Sequence, residues 1–184
     1  MAGSRCCASP SPWADGLKSF SPLPQRIATR RRAQPLTYQP AELYRLPQLH
    51  ASRVLDADFD TAAAGLRGWR VQASVFRVRA TGPALSGAVV ELGFGLGPLV
   101  KKFYCRVTDV IDEPDRCGFT YGTLPGHLER GAETFTLTRL PGNRARLDIL
   151  ARSEPATWWL RLARPVIDLA RRALTSRRYL RALG

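Results

Sequence analysis

Lysine is scarce in this chain. Lys18, Lys101 and Lys102 are the only three among 28 basic residues, and the rest are Arg. Beside abundant Ala and Leu, that bias suggests GC-rich coding. The net charge of +13 is therefore weak evidence, taken alone, for phosphate contact. Histidine occurs twice, at His50 and His127, far apart in sequence. No metal-ligand spacing is present, so no metal and no cofactor are expected. The four cysteines, Cys6, Cys7, Cys105 and Cys117, form no C-x-x-C pair. They read as reduced thiols, and a Cys105–Cys117 bridge would need their strands to pair. No apolar run approaches the roughly 18 residues of a membrane helix. An apolar leader is missing too, so a cytoplasmic protein is expected. The chain has no G-x-S-x-G nucleophile elbow. Gly93-Phe94-Gly95-Leu96-Gly97-Pro98 runs into a strand and reads as a loop, not a dinucleotide fingerprint.

The charge is unevenly placed. Residues 1–36 carry six basic groups and one acid, and residues 155–184 carry seven and one. The centre, 37–154, is nearly neutral, with fifteen basic groups and thirteen acids. Residues 1–35 hold five prolines, five serines and an Arg30-Arg31-Arg32 run. Such composition buries too little apolar surface to offset chain entropy, so a disordered tail is expected there. A single folded domain is expected over 36–184.

Within that domain, Arg53–Leu55 reads as a short strand. Asp58 or Asp60 caps a helix that runs to Trp69 and ends with the help of Gly68. Period-two alternation from Val71 to Arg79 predicts a strand, followed by the Gly82-Pro83 break. Further strands are expected over 88–94, 100–111, 117–121, 134–140 and 145–151, joined by turn residues. They describe an antiparallel meander. From Pro155 on, Trp158, Leu162, Val166, Ala170 and Leu174 step by four and predict a long amphipathic helix interrupted at Pro165. The expected fold is α+β of helix-grip type: a curved antiparallel β-sheet packed on a long C-terminal α-helix. Such packing leaves room for an apolar cavity between sheet and helix.

The densest chemistry lies in Gly118–Gly131. Phe119 and Tyr121 end a strand, and Gly122, Pro125 and Gly126 read as a sharp turn. The turn presents His127 and Glu129, with Glu133 close behind. One reading makes His127 a general acid or base, oriented by Glu133 or Glu129, with Tyr121 polarising a substrate oxygen. The other makes His127 and Glu129 hydrogen-bonding braces of the turn. Tyr121, Thr123, His127, Glu129 and Trp158 are the candidate ligand-binding residues.

Pro114-Asp115-Arg116, Gly118-Phe119-Thr120-Tyr121-Gly122-Thr123-Leu124-Pro125-Gly126-His127 and Glu129-x-Gly131-x-Glu133 resemble the signature of the DUF1990 family. These UPF0548-type proteins are bacterial with plant relatives and have no established activity. Leu36-Thr37-Tyr38, the helix ending at Trp69, Arg106-Val107 and Arg178-Tyr179-Leu180 fit the same pattern. The resemblance covers about residues 36–184. It implies a place in the START-like superfamily, whose members often bind hydrophobic ligands. The chain departs from the family at Ala132, where members tend to carry a second acid, and at Arg152.

Three functions follow as expectations. The first is binding of a small hydrophobic molecule in the cavity. The second is an enzyme built on the same cavity with His127 as acid/base. The third is attachment of the basic ends to an anionic surface, nucleic acid or membrane, with nucleic acid the less expected partner because the folded centre is nearly neutral.

Overall fold

The computed structural model describes residues 19–95, 99–157, 173, 175 and 177–184. A two-residue strand β1 (Ser21–Pro22) and helix α1 (Gln25–Arg32) come first. Helix α2 (Pro40–Leu43), strand β2 (Gln48–Asp58) and helices α3 (Phe59–Arg67) and α4 (Arg70–Ala73) follow. The remaining strands are β3 (Arg77–Ala80), β4 (Val89–Phe94), β5 (Lys101–Asp112), β6 (Arg116–Thr123), β7 (Glu129–Arg139) and β8 (Arg144–Pro155). A 3-10 turn, Tyr179–Arg181, lies near the C-terminus.

All eight strands form one curved mixed sheet in the order β1-β3-β4-β5-β6-β7-β8-β2. From β3 to β8 each strand pairs antiparallel with the next, as the alternating pattern predicts. β2 pairs with β8 at the far edge, so α3 and α4 connect the two edges of the meander. β1 adds to β3 in parallel, which makes the sheet mixed and not purely antiparallel. Register sets the faces. Tyr121 lies opposite Val107 and Glu133, and Glu133 lies opposite Ala151. These side chains, with Phe119, Phe135, Leu147 and Ile149, share the inner face.

Helix α3 forms where the sequence predicts it. The Asp58 carboxylate accepts a hydrogen bond from the Thr61 amide at 2.9 Å, and Phe59, Ala62, Ala63 and Leu66 are buried on one side. After Gly68 the chain turns at Trp69, whose φ of 67° is left-handed. The Trp69 indole is wholly buried. It meets Phe119 edge-on at 5.1 Å and donates from Nε1 to the Gly82 carbonyl at 2.9 Å. Phe119, Tyr121, Phe135 and Tyr179 continue the aromatic layer at 5.4–6.1 Å between rings.

Three expectations need correction. The tail expected over 1–35 does not extend to 35: α1 lies on the outer face of the sheet, where Leu23 and Ala28 join Val89, Tyr104 and Leu124 in a second apolar cluster. Arg106 donates to the carbonyls of Arg32 and Gln34 at 2.7 and 2.8 Å, beside the C-terminus of α1. Residues 70–73 are helical, so the strand predicted from Val71 is confined to β3. The predicted Arg53–Leu55 strand is the middle of the eleven-residue β2, which also contains His50. The expected long C-terminal helix, with Trp158, Trp159 and Pro165, falls mostly outside the described residues.

Removing the indole should show how much this packing matters. Trp69→Ala is expected to lower the unfolding free energy by about 3–5 kcal/mol in urea titrations. Trp69→Phe, which keeps an aromatic ring but loses the bond to Gly82, should cost about 1–3 kcal/mol.

Candidate functional site

Beyond the aromatic layer the inner face is not filled by α3 and α4. A cavity of about 470 Å³ lies there, bounded by β4–β8, Phe76 and the C-terminal residues Thr175 and Tyr179. Phe76, Leu92, Phe94, Phe103 and Leu128 supply apolar wall. Tyr121, Thr123, His127, Glu129, Glu133 and Ser153 supply polar groups. Five of the predicted site residues are therefore brought together. The sixth, Trp158, lies outside the described residues.

Tyr121 and Glu133 face one another across β6 and β7. The phenol donates to Glu133 Oε2 at 2.6 Å. Burial, and then the neighbouring Glu133 carboxylate, push the Tyr121 phenol well above its ordinary value. Tyr121 is thus a neutral hydrogen-bond donor at physiological pH, unsuited to act as a phenolate base. Glu129 accepts from the Ser153 hydroxyl at 2.9 Å.

His127 sits in the Leu124–Leu128 turn, its ring 5.2 Å from that of Phe103. The Glu129 amide nitrogen lies 3.0 Å from Nδ1. Nδ1 also lies 3.1 Å from the Glu129 carbonyl, so it accepts from the Glu129 amide or, when it carries the ring proton, donates to that carbonyl. This bond is the turn-bracing role that the sequence offers as one alternative. Orientation of the ring through Nδ1 comes from the backbone, not from a carboxylate.

Thr123 is held by three bonds. Its hydroxyl accepts from the Gly131 amide at 3.0 Å, donates to the Gly131 carbonyl at 3.1 Å and lies 2.5 Å from the Thr37 hydroxyl. With its own proton given to Gly131, Thr123 must accept the proton of Thr37. Gly131 itself has φ +143°, and a Cβ there would collide with the Arg152 carbonyl. Gly122, which reads from sequence as a turn residue, lies inside β6. A Cβ there would run into Tyr38 and Leu36, so its role is close approach of the N-terminal segment.

Sequence reasoning missed Phe76, Leu92, Phe103, Ser153 and Tyr179 as site residues. Strand alternation puts Leu92 and Phe103 on buried faces, but only register shows that they meet. Gln72, wholly buried one turn before Phe76, has no partner for its side-chain amide among the described residues. Cys105 and Cys117 are free and buried. Their strands do pair, but Cys105 is opposite Thr123 and Cys117 opposite Asp112. Among the described residues no cluster of His, Cys, Asp and Glu could hold a metal, and no helix is long and apolar enough to cross a membrane.

The sheet, its crossing helices and the cavity on its inner face define an α+β protein. The domain of unknown function DUF1990 matches residues 26–182, and the chain belongs to that family. A UPF0548 protein of Deinococcus radiodurans is 46% identical over 78 residues, which cover 42% of this chain and 39% of that relative. The match thus spans about two-fifths of the relative's length. Among solved structures, the chain is similar to a protein from Arthrobacter aurescens, with TM-score 0.47, 17% identity and coverage of 79% of this chain and 90% of that one. It is similar also to norcoclaurine synthase from Thalictrum flavum in complex with dopamine and hydroxybenzaldehyde, with TM-score 0.47, 11% identity and the same coverages.

The buried thiols give a pH signature. Burial pushes Cys117 from 9.0 to about 11 and Cys105 well above its ordinary value. The unfolded chain then loses these protons first as pH rises, so stability is complete below about pH 9 and declines above it. Cys117 alone should cost about 2–3 kcal/mol between pH 9 and 11. Urea midpoints measured across that range should fall, and Cys117→Ala should flatten the fall. A thiol reagent at pH 8 should label neither Cys105 nor Cys117 in the folded protein.

Proposed function

We propose that this chain binds a small, mostly apolar molecule in the inner cavity of a helix-grip fold. One observation carries the reading: a space of about 470 Å³ combines aromatic and aliphatic walls with a compact set of polar groups. That volume lies within the roughly 300–1,000 Å³ of small-molecule sites. The apolar body of the ligand lies against Phe76, Leu92, Phe94 and Phe103. Its polar end meets Tyr121, Glu133, His127 and the Glu129–Ser153 pair. Thr123 positions Gly131, and through it the strand that carries both glutamates. The polar groups are already bonded to one another, so little ordering cost is left for binding.

An enzyme on the same cavity is the second reading, and His127 in the wall is the observation that favours it. Tyr121 would then turn its one proton from Glu133 to a substrate oxygen, and His127 would exchange a proton with the substrate. The Nδ1 bond from the Glu129 backbone supports the binding reading more directly, because it serves the turn.

Two variants separate these readings. An apolar fluorescent probe, N-phenyl-1-naphthylamine, should bind the purified protein. Ala151→Phe, which puts a ring into the cavity from β8, should weaken that binding at least about tenfold. Unchanged probe binding in a folded Ala151→Phe protein would sink the cavity reading. For His127→Ala the expectation is a loss of about 0.5–2 kcal/mol in stability and a probe affinity within about threefold of the parent. Organic extraction of the purified protein supplies any natural ligand. Conversion of that ligand by the parent, abolished in His127→Ala, would establish the enzyme instead.

A further inference from the structure

The cavity has an apolar rim that the fold leaves in water. Leu99 is 82% exposed, Phe94 56% and Leu128 38%. Phe94 and Leu128 also form cavity wall. Leu99 belongs to the same corner, because its backbone packs on Gly95 beside Phe94. An isolated exposed leucine needs no explanation, but three large apolar side chains grouped at the mouth of an apolar cavity do.

Among the described residues, cations gather at this end of β4 and β5, with Lys101 on the cavity face beside Phe94 and Lys102 and Arg77 on the outer face. Lys101 pairs with Phe94 in the ladder, Lys102 with Gly93, and Arg77 with Gly93 from the other side. Lys101 and Lys102 are two of the chain's three lysines. The neighbouring carboxylate is Glu91, which is buried and lies 3.5 Å from Arg79 and 3.9 Å from Lys102. Glu91 is therefore already engaged on the outer face by Arg79, Lys102 and the Tyr104 hydroxyl. Glu129 and Glu133 share the cavity wall with Lys101 and are bonded to Ser153 and Tyr121.

We propose that this corner docks on the surface of an anionic phospholipid bilayer. The sheet approaches end-on: Leu99 and Phe94 enter the interface, while Lys101 on the cavity face and Lys102 and Arg77 on the outer face flank them and meet headgroup phosphates. A bilayer matches both features, with apolar material beneath a layer of negative charge. Docking brings the cavity mouth to the lipid phase, from which a sparingly soluble ligand could be taken without crossing water. The purpose of docking rests on the cavity reading; its contacts do not.

The test is co-sedimentation of the full chain with vesicles of phosphatidylcholine alone and with about 30% phosphatidylserine. Binding should require the anionic lipid and weaken with salt. Leu99→Ser and Lys101→Glu should each weaken it about tenfold. The double variant Arg26→Gln/Arg30→Gln, on the exposed side of α1, removes as much charge as Lys101→Glu but should stay within about threefold. Equal losses in both charge variants, or no loss in Leu99→Ser, would reduce the interaction to net charge and overturn the proposal. Absence of vesicle binding by the folded parent would overturn it too. Probe uptake measured in the same samples keeps the two readings apart. Uptake without docking leaves the cavity and removes the membrane, whereas site-specific docking without uptake does the reverse.

Discussion

The structure depends on one wedge, the Trp69 side chain between the crossing helices and the sheet. Its left-handed backbone costs about 1–2 kcal/mol for a bulky residue. Complete burial of the indole returns roughly 2–3 kcal/mol, and the bond from Nε1 to Gly82 adds about 1 kcal/mol. Burial wins, so the strained turn is kept. That turn breaks the chain between α3 and α4 and redirects it toward the cavity side, where Phe76 becomes wall. Trp69 also fixes Phe119 and Tyr121, and through them Phe135 and Tyr179. One side of this aromatic layer is packed solid by α3. On the other side Tyr121 and Tyr179 line a space.

That division decides the chemistry available. Tyr121 sits at the boundary, deep enough for its proton to be held far above neutral pH and close enough to share it with Glu133. The other polar groups are also paired: Ser153 with Glu129, and Thr123 with Gly131. In a low-dielectric space each such pair resists rearrangement, because separating it leaves a buried group unsatisfied. A ligand therefore meets a fixed pattern of polar atoms. Fixed patterns of this kind give orientation and selectivity to an otherwise greasy site.

How much of this the sequence reveals depends on the range of the cause. Strands β4 to β8 are readable because alternation and turn residues are local signals. Helix α3 is readable from Asp58 and Gly68. The α4 segment misleads because Val71, Ala73 and Val75 alternate as a strand would, while the Trp69 turn, fixed by Phe119 and Gly82 much later in the chain, makes residues 70–73 helical. The order of residues 19–35 is hidden for the same reason. Their composition has no periodicity, and the patch that receives Leu23 and Ala28 is built by Val89, Tyr104 and Leu124. His127, Glu129 and Glu133 stand out from sequence because one hairpin carries them all. Leu92, Phe103, Ser153 and Tyr179 do not, because they converge only when register joins separate strands.

The N-terminal segment is more than a cover for the outer face. Arg31 lays its guanidinium 3.7 Å over the Tyr104 ring and donates to the Pro125 carbonyl at 3.1 Å. The Thr37 amide donates to the Thr123 carbonyl at 3.0 Å, and its hydroxyl feeds the chain of bonds from Thr123 to Gly131. Tyr38 and Leu36 occupy the space that Gly122 leaves open. The turn bearing His127 is thus gripped from the outer face by residues 31–38 and from the inner face by the bond between Nδ1 and the Glu129 backbone. A turn held from one side could swing His127 out of the wall at small cost. Held from both, it moves only if the outer cluster opens as well. The glycines of the Gly118–Gly131 stretch serve this arrangement chiefly by letting other chain segments come close, and that is why the most distinctive part of the sequence is also where the N-terminal segment and the cavity meet.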